Sequence, residues 1–295
     1  MNHKTTLGHL AALLTAAVWG TTFISTKVLL AVFQPAEILF IRFILGFAAL
    51  CIAAPRRLHT TGWRQEVSFA LAGLSGICLY YLLENIALTF TMASNVGVII
   101  SIASFFTALL ARFFLRTEAL HRCFFFGFVV AMAGILLISF NGSQLALDPL
   151  GDLLAVAAAF VWAVYSLLTR KISSFGYPVL LATRHTFLYG LLFMIPALFW
   201  FDFHPQLSAL MQPTVLLNLL YLGLGASALC FVTWNFAVKE LGAVKTSVYI
   251  YAVPVITVLT SALILHEPLT PLTGLGTALT LAGLVLSEYR HQKEN

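Results

Sequence analysis

Long apolar runs separated by short polar connections make up most of the chain. Ten runs are long enough to form membrane-spanning helices, near 8–30, 36–54, 67–89, 94–115, 121–140, 150–170, 178–200, 214–238, 245–266 and 271–289. The stretches 124–140 and 153–168 are apolar on every face, whereas a strand of a membrane β-barrel alternates polar and apolar positions. The pattern predicts an all-α membrane protein with ten transmembrane helices.

The composition agrees with a chain that lies almost wholly in a bilayer. Hydrophobic residues make up 60% of the 295 positions and charged residues only 9%, against roughly 25% charged residues in a soluble domain. Ten helices of about 20 residues use nearly the whole length, so no soluble catalytic domain is expected. We therefore predict a multi-pass protein of the cytoplasmic (inner) cell membrane.

The basic residues predict the orientation of the helices. Thirteen of the 16 Lys and Arg residues lie near the two termini or the even-numbered connections, namely Lys4, Arg56, Arg57, Arg64, Arg112, Arg116, Arg122, Arg170, Lys171, Lys239, Lys245, Arg290 and Lys293. The odd-numbered connections contain none. Because basic connections stay on the cytoplasmic side, both termini are predicted to be cytoplasmic and the number of spans even. The net charge of +5 thus reflects topology and does not indicate a nucleic-acid partner.

Self-similarity along the chain predicts two related halves. Shifts of 143 and of 149–150 residues superpose identical or similar residues, among them Trp19 and Trp162, Lys27 and Arg170, Asn85 and Asn235, Thr107 and Thr257, and Gly127 and Gly276. Each half contains five helices, an odd number, so the second half enters the membrane from the opposite side. We predict inverted five-helix repeats at 1–143 and 144–295, joined by a linker rich in turn-forming residues at 141–149.

Short motifs recur at matching places in the two halves. The second half contains Trp234-Asn235-Phe236-Ala237, Gly242-Ala243, Pro254-Val255, His266-Glu267-Pro268-Leu269, and Gly276 with Gly283. The first half contains Ala87-Leu88, Ala93-Ser94, Glu118, and Gly127 with Gly134. In spacing and topology the whole chain resembles the EamA family of the drug/metabolite transporter superfamily. Ser104 stands near where many members have proline, so the fourth helix lacks the residue that is expected to bend the ninth.

The resemblance implies a secondary transporter. Its implied activity is export of small metabolites, such as amino acids or related amphiphilic and aromatic compounds, by alternating access. Helices one to four and six to nine would line the cavity. Inverted repeats suit this activity because they supply two interconvertible halves around one site. The expected partners are a small-molecule substrate and the lipid bilayer.

Two other function classes remain open, a channel-like facilitator and an integral-membrane enzyme. The sequence contains no HExxH or GxSxG motif and no Cys and His residues at metal-ligand spacing. We therefore expect no enzymatic activity, no cofactor and no bound metal. The glycine pairs, each seven residues apart and so on one helix face, permit close helix contact, either within a monomer or across a homodimer.

Aromatic and amide residues near the middle of the helices are the candidate substrate-binding residues. They are Trp19, Tyr81, Asn85, Ser101, Trp162, Tyr165, Trp234, Asn235 and Tyr251. Membrane aromatics usually favour the interfaces, so rings at mid-depth indicate a cavity for a flat, apolar or cationic solute. The alternative is that the rings pack between helices and the two amides only join neighbouring helices.

Ionisable residues within the apolar runs are the candidate gating or coupling residues. Lys27, Arg42 and Glu84 are predicted to cluster in the outer half of the membrane, with Glu84 in a gate or proton relay. Alternatively, Lys27 extends to the interface, and Arg42 pairs with Glu84 or Glu37 as a packing element. Arg184 and His185 are predicted to lie near the cytoplasmic end, within reach of Glu240, either as a second gate or as anchors at the membrane interface.

Overall fold

The structure is a computed structural model that describes residues 3–115, 122–139, 149–201, 203–267 and 269–288. Within these ranges the secondary structure consists of helices, and no strand is present. Several sequence predictions concern residues outside the described ones, including Glu118, Pro268, the linker at 141–148 and the basic carboxyl terminus.

The first half contains seven α-helices. They are α1 (His3–Leu29), α2 (Pro35–Ala53), α3 (Trp63–Ala72), α4 (Tyr80–Phe90), α5 (Ala93–Ile100), α6 (Ala103–Leu115) and α7 (Arg122–Ser139). A π-helical segment, Gly73–Leu79, joins α3 to α4 without a break. The predicted third apolar run is therefore one continuous helix, Trp63–Phe90.

The second half also contains seven α-helices. They are α8 (Pro149–Ser173), α9 (Val179–Trp200), α10 (Pro213–Leu220), α11 (Cys230–Leu241), α12 (Ala243–Ser247), α13 (Ala252–Ile264) and α14 (Pro271–Glu288). A π-helical segment, Tyr221–Leu229, joins α10 to α11, and a 3-10 segment, Val248–Tyr251, joins α12 to α13. A further 3-10 turn, Leu207–Met211, precedes α10.

Eight helical segments among the described residues are long and apolar enough to cross a membrane. They are Lys4–Leu29, Pro35–Ala53, Trp63–Phe90, Ala93–Phe114, Pro149–Ser173, Val179–Trp200, Pro213–Leu241 and Ala243–Ile264, and Phe125–Leu137 is a shorter apolar helix. The all-helical membrane class predicted from the sequence is thus confirmed. We call the end where α3 and α9 begin the basic end, because Arg56, Arg57 and Arg64 lie there.

The two π-helical segments occupy equivalent positions and pack in equivalent ways. Gly73 in the first segment lies against the backbone of α9 at Thr186 and Gly190. Gly223 in the second lies against the backbone of α2 at Arg42. Residues 73 and 223 are related by the shift of 150 residues, and residues 42 and 186 by a shift of 144 residues, which also superposes Gly46 on Gly190. Each half therefore places a glycine-rich π segment against the second helix of the other half.

The fourth and ninth predicted helices are both interrupted near mid-length. A turn at Ser101 and Ile102 separates α5 from α6, although position 104 is serine and not proline. The Ser104 hydroxyl donates a hydrogen bond of 2.7 Å to the Ser247 carbonyl, immediately before the 3-10 segment of the other half. The bend of this helix thus does not need a proline.

Helices α7 and α14 pack closely against each other through their glycines. A Cβ atom at Gly134 would lie 2.5 Å from the Gly276 carbonyl oxygen and from the Thr280 nitrogen. A Cβ atom at Gly283 would lie 2.4 Å from the Gly127 carbonyl oxygen. Because only glycine permits this separation, the glycine pairs serve packing within one chain.

Candidate functional site

An aromatic cluster lies where α1, α4, α8 and α11 meet. The ring centroid of Trp162 lies 5.1 Å from that of Trp19 and 4.8 Å from that of Tyr80. The Trp19 centroid lies 5.0 Å from that of Trp234. Edge-on and tilted contacts of this kind are favoured between aromatic rings. The mid-depth aromatic residues of both halves thus meet in one place, as the repeat pairing of Trp19 and Trp162 predicts.

A small closed cavity of about 20 Å³ adjoins the cluster. Its lining residues are Trp19, Thr22, Phe23, Tyr80, Tyr81, Glu84, Ile100, Trp162, Ile250 and Val253. Such a volume holds about one water molecule, whereas small-molecule pockets enclose roughly 300 Å³ or more. A metabolite can enter only if the helices around the cavity move apart.

Arg42 and Glu84 are buried beside this cavity. The Arg42 guanidinium carbon lies 4.4 Å from the Tyr81 ring centroid, and its Nε donates to the Ser227 hydroxyl at 3.0 Å. Both Nη atoms of Arg42 and the Oε1 atom of Glu84 are buried without a hydrogen-bond partner, although the Arg42 charge acts on Glu84. Glu37, the alternative partner for Arg42, accepts backbone N–H groups instead. Glu84 also has a hydrogen bond with the Tyr80 hydroxyl. Buried polar atoms without a partner are costly, so the partnerless atoms of Arg42 and Glu84 make this pair a candidate for binding a solute.

Lys27 does not join Arg42 and Glu84, which corrects the prediction of a three-residue cluster. Its ammonium group donates to the carbonyl oxygens of Leu88 at 2.5 Å and Thr91 at 2.8 Å. These carbonyls lie at the end of α4, where no further helical turn can satisfy them. Lys27 thus caps α4 at the end opposite the basic end.

Arg170, the repeat equivalent of Lys27, has the same role at the basic end. Its Nη1 atom donates to the carbonyl oxygens of Val238 at 3.5 Å and Lys239 at 3.1 Å, in the last turn of α11. A cation at a helix carboxyl terminus also interacts favourably with the helix dipole. The repeat pairing therefore extends to side-chain hydrogen bonds.

Glu267 joins the two halves at the end opposite the basic end. Its carboxylate accepts hydrogen bonds from the backbone N–H of Ala93 at 2.9 Å and from the Ser94 hydroxyl at 2.6 Å. It thereby caps the first turn of α5, and the charge of Lys27 acts on it. In the sequence, Glu267 is part of the motif His266-Glu267-Pro268-Leu269, four residues before α14. Nothing in this position predicts that its carboxylate contacts the other half.

A second junction between the halves lies at the basic end, around Glu66 of α3. The Glu66 carboxylate accepts a hydrogen bond from the Tyr189 hydroxyl at 2.5 Å and lies 3.0 Å from His185 Nε2. The prediction that Glu240 is the acidic partner is wrong, because Glu66 holds that place. Arg184 instead donates to the carbonyl oxygens of Ala54 and Arg56, so it joins α9 to the end of α2.

The two equivalent asparagines form bonds between helices. Asn85 Nδ2 donates to the Pro35 carbonyl at 3.0 Å. Asn235 Nδ2 donates to the Thr183 hydroxyl at 2.9 Å, and its Oδ1 accepts from the Tyr165 hydroxyl at 2.9 Å. Their contacts therefore correspond to the alternative of joining neighbouring helices.

Two other candidates lie outside the lining of the cavity. Ser101 is buried and its hydroxyl donates to the Val98 carbonyl at 2.6 Å, while Ile100 reaches the cavity. Tyr251 is half-buried in the 3-10 segment, and its neighbours Ile250 and Val253 reach the cavity instead. Residue counting does not predict which face of each broken helix points inward, and the binding roles of Ser101 and Tyr251 stay predictions.

Several aromatic residues of the cluster were not among the candidates. Tyr80 contacts Trp162, and Phe231 lies 5.8 Å from Trp19 and 6.0 Å from Trp162. Phe231 is the repeat equivalent of Tyr81, so the repeat carried a signal for it. Within the described residues, no group of three or more His, Cys, Asp or Glu side chains could hold a metal ion.

The apolar helices of the described residues define a multi-pass membrane protein. The chain belongs to the EamA-like transporter family, whose model matches residues 6–140 and again residues 149–289. The family model thus matches the chain twice, once in each half. The resemblance recognised from the motifs is thus confirmed, and the protein is a transporter of the EamA type in the cell membrane.

Three relatives, named as a transporter, an exporter and an efflux pump, match this chain over nearly the whole of both sequences. An uncharacterized transporter of Archaeoglobus fulgidus is 29% identical, over 97% of this chain and 98% of the relative. A probable terminal-alkyne amino-acid exporter of Streptantibioticus cattleyicolor is 30% identical, over 95% and 93%. A probable amino-acid metabolite efflux pump of Escherichia coli is 28% identical, over 94% and 93%.

A solved crystal structure has the same fold. It matches with a TM-score of 0.68, over 99% of this chain and 98% of the other, at 20% identity. At that identity the likeness concerns the fold alone.

Proposed function

We propose that the protein is a secondary transporter that exports small amphiphilic metabolites, such as amino acids or related aromatic compounds, by alternating access. Two relatives, named a probable terminal-alkyne amino-acid exporter and a probable amino-acid metabolite efflux pump, support the direction and the substrate class. In this proposal ten helices span the membrane, the halves are 1–143 and 144–295, and the basic end with both termini is cytoplasmic.

The observation that carries the proposal is the pair of buried charges beside the aromatic cavity. Arg42 and Glu84 have opposite charges, and each has polar atoms without a hydrogen-bond partner. An amino acid has a carboxylate that suits the Arg42 guanidinium and an ammonium group that suits the Glu84 carboxylate. The rings of Trp19, Tyr81 and Trp162 would then contact its side chain.

The other candidate residues would mainly support the side chains that line the cavity. Trp234 and Tyr165 pack against the lining rings, while Asn85 and Asn235 hold their helices in place. Ser101 and Tyr251 belong to the broken helices, whose interruptions supply points of bending around the cavity. These residues would fix the shape of the site more than they would contact the solute.

The two junctions between halves act as gates in this mechanism. Glu66 with His185 and Tyr189 closes the cytoplasmic side, and Glu267 with the start of α5 closes the outer side. Both junctions are formed in the structure, and the cavity between them is too small for a metabolite. Opening one junction while the other stays formed would expose the cavity to one side at a time.

Counterflow in proteoliposomes tests the activity. Vesicles loaded with one unlabelled amino acid at a time, and separately with a neutral sugar, are assayed for uptake of the labelled counterpart. Saturable exchange of amino acids, without exchange of the sugar, is expected for a carrier. Flux that rises linearly with concentration would indicate a channel-like facilitator, and a chemically altered solute would indicate an enzyme.

Charge-neutral variants test the site itself. Glu84→Gln removes the charge proposed to hold the ammonium group, and loss of such a charged hydrogen bond corresponds to about 10–100-fold weaker binding. Glu37→Gln is the matched control. Glu37 is also buried near the start of α2, but its carboxylate accepts the backbone N–H groups of Gln34 and His204. Equal exchange by Glu84→Gln and wild type would contradict the site.

Aromatic variants give a second, independent test. Trp162→Phe reduces the ring area at the cavity, and we expect about 2–10-fold weaker binding from the lost aromatic contact. Trp200→Phe is the control, since Trp200 is 85% exposed on the apolar surface of α9. If both variants bind the solute alike, the aromatic cavity is not the binding site.

A further inference from the structure

A large groove lies at the basic end, away from the aromatic cavity. It runs between α6 and α8, its mouth reaches the end of α11, and it encloses about 980 Å³. This volume is about fifty times that of the central cavity and lies at the upper end of the range for small-molecule pockets. The mechanism proposed above gives this groove no role.

The walls of the groove are apolar and continuous with the lipid-facing surface. Val164, Leu168 and Lys171 recur at helical spacing, so they form one stripe along α8 that ends in a charge. Leu110 and Phe114, four residues apart on α6, form the facing wall, and Phe114 is 75% exposed. Seven residues of α8 rise about 10 Å, which is deep enough for several methylene groups of an acyl chain.

An aromatic contact lies inward of the groove. The rings of Phe106 on α6 and Phe160 on α8 meet edge to face, with centroids 5.5 Å apart. Each ring lies one turn further from the basic end along its helix than the nearest wall residue, Leu110 or Val164. The apolar walls of the groove therefore continue from the basic end towards this contact.

The mouth of the groove is cationic. Arg170, Lys171 and Lys239 line it, and none of the described residues that line the groove is acidic. Arg170 is held by the carbonyl oxygens at the end of α11. In the described part of the chain, neither lysine has an ion-pair partner. Glu240, which follows Lys239, turns away and packs towards Gly8 of α1.

We propose that this groove binds one anionic phospholipid of the cytoplasmic leaflet. One acyl chain would lie between α6 and α8, and the phosphate would contact Lys171, Lys239 and the free donors of Arg170. Basic pockets between transmembrane helices on the cytoplasmic side suit anionic headgroups, and the depth of the apolar walls suits an acyl chain and not a soluble anion. The inference depends on the cytoplasmic orientation of the basic end and is independent of transport activity.

Native mass spectrometry of the purified full-length protein tests the proposal. The protein in a neutral detergent is titrated with phosphatidylglycerol and, separately, with phosphatidylcholine of the same acyl chains. We expect one phosphatidylglycerol to be retained at lower concentration than phosphatidylcholine. Each basic residue near the headgroup contributes enough for about fivefold in affinity, so Lys171→Gln/Lys239→Gln should weaken phosphatidylglycerol binding about 25-fold.

Control variants and a soluble competitor decide between the outcomes. Lys245→Gln removes a charge at the same end but outside the groove and should leave phosphatidylglycerol binding unchanged. Excess glycerol phosphate, which has the headgroup chemistry without acyl chains, should not displace the lipid. Equal retention of the two lipids, an unchanged Lys171→Gln/Lys239→Gln variant, or displacement by glycerol phosphate would each overturn the proposal. Because none of these measurements uses transport, their outcome is separate from that of the counterflow assay.

Discussion

The two halves of the molecule differ most at the positions that surround the central cavity. Arg42 of α2 corresponds to Thr186 of α9, and Glu84 of α4 corresponds to Trp234 of α11. The first half thus places a guanidinium and a carboxylate where the second half has a hydroxyl and an indole ring. Thr186 only bonds within its own helix, to the Ala182 carbonyl, whereas Arg42 reaches Ser227 of the other half.

By contrast, the features that hold the helices together are shared. Both halves have a π segment with a glycine against the facing helix, at Gly73 and Gly223. Both cap the end of their third helix with a cation, Lys27 or Arg170. These packing and capping features occur in both halves, which indicates that each half requires them to hold its helices together. Arg42 and Glu84 occur once, so the repeated packing does not require them, which supports their role in the proposed site.

The largest effect is expected from removing one charge of the pair. Arg42→Leu removes the positive charge that acts on Glu84 and leaves that carboxylate with the Tyr80 hydroxyl, and leaving a buried charge uncompensated costs about 3–5 kcal/mol. Thr186→Val at the equivalent position loses one hydrogen bond within a membrane helix, about 0.6 kcal/mol. Unfolding of both variants in detergent measures the difference.

The double variant Arg42→Leu/Glu84→Gln sharpens this test. If the two charges stabilise each other, the double variant should be more stable than the sum of the single variants predicts. Equal destabilisation by Arg42→Leu and Thr186→Val would show that the halves do not differ at this position.

A moderate effect is expected at the two equivalent glycines of α2 and α9. A Cβ atom at Gly190 would lie 2.4 Å from the Ile77 Cβ atom, whereas one at Gly46 would lie 3.0 Å from the Gly223 carbonyl oxygen. Gly190→Ala should therefore cost about 1–3 kcal/mol of stability, and Gly46→Ala less. Thermal unfolding of the two variants measures this difference.

Gly274→Ala is the control for the glycine pair. Nothing lies within 4 Å of a Cβ atom at Gly274, so alanine should leave stability unchanged or raise it by up to about 1 kcal/mol. A Gly46→Ala variant less stable than Gly190→Ala would reverse the predicted order of the two interfaces.

The smallest effect is expected at the two helix caps. Lys27 is half-buried and its bonds are 2.5 and 2.8 Å long, while Arg170 is exposed with bonds of 3.1 and 3.5 Å. Lys27→Met should cost about 1 kcal/mol, and Arg170→Met about 0.3 kcal/mol. Hydrogen exchange in the last turns of α4 and α11 reports each loss locally. Faster exchange after Arg170→Met than after Lys27→Met would contradict this order.

The fold was largely predictable because its main determinant is the length of apolar runs. The predicted run 36–54 corresponds to α2 and the run 178–200 to α9, each within one or two residues. The π segments were not predictable from the sequence. Their backbone hydrogen bonds join residues five positions apart, and the spacing of apolar residues does not reveal this. The turn at Ser101 was missed for a related reason, because no proline marks it.

The sequence predicts that Trp19 and Trp162 meet. It does not predict the direction in which each side chain leaves its helix. Trp19 and Trp162 meet, because equivalent positions on inverted repeats converge at mid-depth. Lys27 and Glu84 lie at similar depths, yet Lys27 turns to the end of α4. Likewise Glu66 and Glu240 both lie at the basic end, and only the packing of α3 against α9 selects Glu66 as the partner of His185.

The π segment Gly73–Leu79 lets the third span hold one residue more than an α-helix of the same number of turns. Deleting one residue within the segment would restore regular α-helix and keep the number of turns, so Tyr80, Tyr81 and Glu84 would still face the cavity. The same deletion at position 82 or 83, inside regular α-helix, would rotate Glu84 by about 100° relative to Tyr80 and Tyr81. The span can thus lose a codon in one stretch and keep its site, or lose the site with a codon a few positions later.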